Sequence, residues 1–378
     1  MRMKKLMILA VAAIALVACS KTFDTHHHGN EGKAIGFSSW NQTLTKTATG
    51  RTIGGTAFAN GDYFFVYGYT SGAQTPFDGT KVSTTDGSAW TYSPIRFWDH
   101  TNAYYDFYAI SPSESEFASV GDLVSAHDVT AGTYTTTSLS LDGNNNDVLV
   151  ADKKHVLEAA YGQSAVQLNF RHAAALFDLK VRKGSSLGND GVLKVTSVSL
   201  ENINKVGYFA VSGYNAEDHS TAPYKANITW TSTSTGTYTG ANGVKNTVDT
   251  DIISSTTAVT TDGTQYLINN LVVMPQTFTA SAQRLKITYT ITTGSGVTEQ
   301  TNTFTDKTYD LVLFDDTDYP TDDDSSTNGN QYNAGNHVTG WVDGVHYTYI
   351  ITIDAEAISF TATMQAWGTD NGYYTLIN

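Results

Sequence analysis

Ile358-Ser359-Phe360-Thr361-Ala362-Thr363-Met364-Gln365-Ala366 is the stretch on which the fold reading turns. Apolar residues alternate with polar ones throughout it. A period of two sends one face to a core and the other to solvent, as in a half-buried β-strand. The same alternation recurs upstream in Val166, Leu168 and Phe170, and in Tyr105, Phe107 and Ala109 set against Tyr104, Asp106 and Tyr108. Leu176, Leu179 and Val181 extend a further apolar run into Lys183. More strands are expected at 34–40, 63–69, 147–151, 193–200, 208–211, 226–230, 266–274, 285–292, 309–314 and 346–353. Turn signals separate them at Asn60-Gly61-Asp62, Asp78-Gly79, Asp86-Gly87 and Asp142-Gly143. Only 153–161 has modest helical character, and no apolar pattern of period 3.6 runs for any length. The expectation is an all-β chain. Its length suits two β-sandwich domains joined near residue 162 better than one.

Composition agrees with that class. Thr, Ser, Gly and Asn are abundant, with 22 Tyr and 16 Phe against 6 Pro. Acidic residues outnumber basic ones, 36 to 22; residues 1–51 hold 7 of the bases and only 2 of the acids. The remainder is therefore strongly negative, a field that repels nucleic acid and anionic headgroups, so no nucleic acid partner is expected. A single cysteine permits no internal disulfide, and stability must come from burial.

The cysteine has a telling place. Arg2, Lys4 and Lys5 precede an apolar run over 6–17, and Leu16-Val17-Ala18-Cys19 closes it. The run is short of the roughly 20 residues needed to span a bilayer, so it reads as a signal peptide. A leucine three residues before a cysteine, with alanine just before it, resembles the bacterial lipoprotein signal. On that reading 1–18 is removed and Cys19 becomes the acylated first residue. An ordinary signal peptide with a chance cysteine is the alternative. Residues 20–33, with His26-His27-His28, read as a polar tether. Membrane contact would then come only through the precursor lipid.

Templates for catalysis are missing. The chain has no phosphate-binding Gly/Lys loop, no G-x-S-x-G elbow and no histidine pair at zinc spacing. The acidic run from Asp315 to Asp324 lacks the spacing of a calcium loop and reads as solvated. His172, in a strand-like region, reads as a buried, hydrogen-bonded histidine. The aromatic-rich region 90–112 could form a sugar platform, but its alternation points to core. No cofactor and no enzymatic activity are expected.

One arginine stands alone. Arg51 is the only arginine between the signal peptide and Arg96, and it lies in the Thr/Gly stretch Thr49-Gly50-Arg51-Thr52. Such exposed loops are where proteases cut, though an ordinary loop arginine has the same appearance. Cleavage between Arg51 and Thr52 would release the lipid together with a short strand whose Ile35 and Phe37 face a core. An edge vacated in this way is satisfied by a strand from another chain. The C-terminal tail, where Tyr374 and Leu376 alternate with Tyr373, Thr375 and Ile377, is the candidate donor.

Several stretches, in this order, resemble the fimbrillins, the lipoprotein-precursor pilins of type V fimbriae. They are the lipobox, Ile35 and Phe37, the isolated Arg51, and Phe58-Ala59-Asn60-Gly61-Asp62 leading into 63–69. Next come Trp90-Thr91-Tyr92-Ser93-Pro94, Trp98 and Tyr105-Asp106-Phe107-Tyr108-Ala109 with Ser111-Pro112. Asp147-Val148-Leu149-Val150-Ala151 and Leu168-Asn169-Phe170-Arg171-His172-Ala173 follow. Trp341, Gly344, 347–353 and Trp367 complete the set. The resemblance implies two tandem transthyretin-like β-sandwich domains, 52–162 and 163–378, behind a tether and removable strand over 19–51. It implies an outer-membrane lipoprotein precursor, an arginine-specific processing protease, and head-to-tail assembly with identical or related subunits into a cell-surface fimbria serving adhesion. The ligand of that adhesion is not legible. Thr/Asn-rich padding over 231–264 departs from the family pattern. A surface glycan-binding lipoprotein is the alternative, and a surface glycosidase a third reading.

Overall fold

The computed structural model describes residues 32–41, 58, 60–112, 117, 119–141, 147–188, 191–214, 226–239, 250–251, 265–312, 338–354 and 358–366. The described chain is β-structure almost throughout, with one four-residue α-helix, Val120–Leu123, and three single 3₁₀ turns.

Aromatic run Tyr63–Thr70 pairs antiparallel with Tyr104–Ser111 on one side and Phe77–Thr84 on the other. Nearly every residue of Tyr63–Thr70 and Tyr104–Ser111 is buried, because both faces of this sheet are covered. Phe64, Val66, Tyr105, Phe107 and Ala109 point into one core. Tyr63, Phe65, Tyr67, Tyr108 and Ile110 point into another. The alternation expected over 104–109 is present, but it separates two cores rather than core from water. A near-continuous apolar strand is the sequence mark of that situation.

The eight-stranded sheet runs, in order, Phe37–Asn41, Val166–His172, Leu149–Ala151, Tyr104–Ser111, Tyr63–Thr70, Phe77–Thr84 and Trp90–Thr91, with Lys154–Leu157 also paired to Tyr104–Ser111. The helical character read at 153–161 is thus replaced by a strand and the short 3₁₀ turn Glu158–Ala160; pairing to a buried neighbour overrides weak local propensity. Asp78-Gly79 is not a connecting turn either. It forms a bulge inside Phe77–Thr84, where register slips between Val66 and Gly68, and Gly79 adopts φ +66°.

The second core joins this sheet to another built on the 23-residue strand Val192–Tyr214. Sequence suggested two strands here, 193–200 and 208–211. They are one: Asn202 takes the left-handed conformation (φ +58°) and absorbs a register shift without leaving the sheet. The early part of this strand supplies Leu193, Val195, Val198, Leu200 and Ile203 to a third core, and its end supplies Phe209 and Val211 to the second. Opposite the third core lies a four-stranded sheet ordered Gln265–Val273, Ala175–Lys183, Val345–Ile353 and Ile358–Ala366. Val345, Tyr347, Tyr349, Ile351 and Ile353 face inward, every second residue. Sheet on sheet around an apolar interior is the sandwich arrangement. Ile358–Ala366 is a strand as expected, in register with Val345–Ile353; its side chains lie outside the described residues. The strand expected at 309–314 instead occupies Gln300–Asp310, a largely exposed edge strand, with Leu311 and Val312 buried just beyond it.

Candidate functional site: the seam closed by residues 33–41

Strand Phe37–Asn41 stands at one end of the first sheet's order and Trp90–Thr91 at the other. The sheet curls until these ends meet: Ala34 bridges Phe97 in antiparallel fashion, and the Phe37 ring lies 5.3 Å from Phe77. Residues 33–37 therefore close the seam of a curled sheet whose interior is the first core.

Closure is made by backbone and side chain together. Phe37–Asn41 runs parallel to Val166–His172, from Phe37 opposite Val166 to Asn41 opposite Phe170. The Val166 amide donates to the Gly36 carbonyl at 2.7 Å. On the other side, the Ile35 amide donates to the Arg96 carbonyl at 2.8 Å and the Trp98 amide to the Lys33 carbonyl at 3.1 Å. Ile35 and Phe37 are buried, at 1% and 5% exposure. Phe37 meets Phe64, Phe77, Tyr92 and Phe107 edge-on, with ring centroids 5.3 to 6.1 Å apart. Edge-to-face contact of this kind adds to simple area burial. Burying each of the two side chains is worth about 1.5–3 kcal/mol.

Tyr92 ties the seam from above. Its hydroxyl donates to the Ile35 carbonyl at 2.6 Å and accepts from the Arg96 amide at 3.2 Å. Burial raises the pKa of this phenol, while the Arg96 backbone contact and charge oppose the shift. In the sequence Tyr92 is marked only as part of the motif Trp90-Thr91-Tyr92-Ser93-Pro94. Its hydrogen bond to Ile35 spans 57 residues, and no local signal announces it.

Of the residues singled out from sequence, Ile35 and Phe37 lie side by side in this seam. Cys19, Arg51, Thr52, Tyr373, Tyr374, Leu376 and Ile377 lie outside the described residues, as do the histidine triplet and the acidic run 315–324. His172 is buried and bonds through Nδ1 to Asp147 Oδ1 at 2.7 Å. His155 pairs with Asp106 through Nδ1, and His346 with Asp178 through Nε2. Trp98, Tyr105, Phe107 and Tyr108 of the aromatic region are buried, leaving Ile95 and Phe97 as its exposed apolar side chains. Among the described residues no group of three or more His, Cys, Asp or Glu could hold a metal ion, and no helix is long and apolar enough to cross a membrane.

A curled β-sheet closed by its own N-terminal segment, stacked on a sandwich through a shared long strand, defines the class of this molecule. The profile of the fimbrillin-like family matches residues 45–367, and the chain belongs to that family. It is 24% identical over 216 residues to the fimbrium subunit Fim1C of Phocaeicola vulgatus, covering 52% of this chain and 56% of the relative. The chain thus spans about half the length of the curated relative it matches. A crystal structure of a fimbrial protein from Bacteroides vulgatus superimposes with a TM-score of 0.55 at 19% identity, over 88% of this chain and 99% of that one. That likeness bears on fold.

Proposed function

We propose that the chain is a structural subunit of a cell-surface fimbria serving adhesion, with no catalytic role. In this reading it is made as an outer-membrane lipoprotein precursor acylated at Cys19. An arginine-specific protease then cuts between Arg51 and Thr52. The segment carrying Ile35 and Phe37 leaves, and the vacated seam takes a strand from another subunit. The C-terminal residues Tyr373, Tyr374, Leu376 and Ile377 are the proposed donor. Donor and seam are different surfaces, so the contact is head-to-tail and propagates into a filament. The mature subunit comprises two sandwich units, divided by sequence into 52–162 and 163–378, with Val166–His172 from beyond that boundary paired into the sheet of the first.

The observation that supports this reading is the seam itself. Its closing strand is an edge strand joined to the body of the chain through residues 42–57, so one cut there separates it. Its loss leaves two apolar sockets beside the unpaired backbone of Val166–His172, a template for strand addition. The buried state of Trp98, Tyr105 and Phe107 speaks against a sugar platform.

Electron microscopy of cells with and without the gene tests the subunit role: filaments should vanish on deletion and return with the wild-type chain. In the complemented strain, filament protein should begin at Thr52, and Arg51→Ala should accumulate unpolymerised precursor. Filament protein that begins at acyl-Cys19, or unchanged polymerisation of Arg51→Ala, would refute the processing step. Fatty-acid labelling abolished by Cys19→Ser checks the lipid; equal labelling of both chains would remove it.

A further inference from the structure

The closing strand is not open along its whole length. Among the described residues, Phe37–Asn41 has a single neighbour, Val166–His172. Residues 33–36 differ: they bond to the Val166 amide on one side and to the 92–98 segment on the other. That segment is a strap. It is anchored by the Tyr92 ring, which packs on Phe37 and Phe77, and by Trp98, stacked 4.5 Å from Tyr161. Between the anchors Ile95 and Phe97 are 50% and 55% exposed, so the strap's middle has little packing of its own.

We propose that residues 92–98 and the strand Val166–His172 form a two-sided peptide clamp, that Tyr92 is its positioning residue, and that the clamp selects which strand closes the seam. The inference rests on the strand-replacement reading above and adds what that reading leaves open: which occupant is accepted, and in what order. The occupant is an extended segment of a second chain with large apolar residues two positions apart. One socket takes an aliphatic side chain where Ile35 sits. The other takes an aromatic side chain where four rings surround Phe37 in T-shaped contact. The residue between them is not selected for size at its first carbon. A Cβ on Gly36 would meet only the Ala165 Cβ, at an ordinary 3.8 Å. The Tyr92 hydroxyl and the Arg96 carbonyl read only backbone, so they accept any extended chain. Order follows from the two-sided grip. Among the described residues Phe37–Asn41 is paired on one side only, so a new strand can replace it by peeling it from Val166–His172, but residues 33–36 are displaced only when the strap lifts. Exchange therefore begins at the residue 41 end and finishes beneath Tyr92.

Amide hydrogen exchange on the intact full-length chain tests the clamp without any cleavage. Tyr92→Phe keeps the ring and removes the hydroxyl. It should speed exchange of the Ile35 and Trp98 amides by about fivefold, as expected for one lost hydrogen bond, with the interior Phe107 amide unchanged. Ile95→Gly with Phe97→Gly, at exposed positions, should loosen the same two amides. Unchanged protection in both variants would overturn the clamp.

A second arm measures selection. A site for a sequence-specific protease is inserted within 42–57 of the full chain, which is cut and offered a fluorescent peptide with the sequence of residues 33–41. The peptide should enter about fivefold faster in Tyr92→Phe than in wild type. A Gly36→Ala peptide should enter like the natural one, and a Phe37→Ala peptide should fail. Equal entry of the Phe37→Ala peptide, or equal rates in wild type and Tyr92→Phe, would overturn the proposal. Filaments that persist after gene deletion would instead defeat the fimbrial reading, while the exchange and peptide results would still stand for the clamp.

Discussion

Phe37 shows how much rests on single side chains. It contributes one ring to a nest formed by Phe64, Phe77, Tyr92 and Phe107, far away in sequence and joined only when the sheet curls. Phe37→Ala should lower stability by about 3–5 kcal/mol, through lost transfer energy and the cavity left behind. Phe107→Ala and Phe170→Ala, in the same core, should cost a similar amount. Urea midpoints check all three, and a midpoint equal to wild type would remove that residue from the core. Polar residues are placed with equal economy. Arg171 reaches the Asp343 carboxylate and the Ala226 carbonyl, and so ties Val166–His172 to distant parts of the chain. His172 beside it holds Asp147. The sequence reading of His172 as a hydrogen-bonded histidine needed only its setting in an apolar strand. Its partner, 25 residues upstream, needed the fold.

At the scale of elements, apolar alternation located the strands that have a core to face. Val166–His172 buries every second residue, as its sequence indicates. Strands without an apolar face carry no such mark. Gln300–Asp310 is polar along most of its length and is a strand because Arg284–Thr293 offers it a hydrogen-bonding edge. Turn dipeptides mislead for a related reason. Asp86-Gly87 does turn: the Asp86 carboxylate accepts the Ser88 and Ala89 amides, which hold its pKa down to about 2. Asp78-Gly79, alike in sequence, is a bulge, since the chain continues to pair on either side of it. Gly79 has φ +66°, and a Cβ there would lie 2.4 Å from Val120 Cγ1. Gly79→Ala should therefore cost about 2 kcal/mol or more, from left-handed strain and the clash with Val120. Guanidinium denaturation checks it, with Gly121→Ala, at a glycine without left-handed backbone or close contact, as the comparison.

Across the whole molecule, buried phenols set the response to alkali. Desolvation raises Tyr134, Tyr214 and Tyr349 well above the ordinary phenol value and pushes Tyr309 up to about 12. In the unfolded chain these groups ionise near pH 10. The folded state then holds protons that the unfolded state releases, so stability is fully present below about pH 10 and declines as pH rises above it. Urea midpoints should be level from pH 7 to 9 and fall from pH 10 upward. Tyrosinate absorbance from the buried phenols should appear together with unfolding. If that absorbance rises while the chain stays folded, the assignment of buried phenols is wrong.

Local order in the chain was enough for the all-β class, for the strands with one or two apolar faces and for Ile35 and Phe37 as inward-facing residues. Each depends on neighbours a few positions apart, and backbone geometry turns that spacing directly into a face. Three features were decided by tertiary structure alone: the curl that brings Ala34 to Phe97, the continuity of Val192–Tyr214 through two cores, and the Tyr92 hydroxyl on the Ile35 carbonyl. They join segments tens of residues apart. Which segments meet is set by the free energy of closing and packing the whole sheet, and no stretch of sequence carries that quantity by itself.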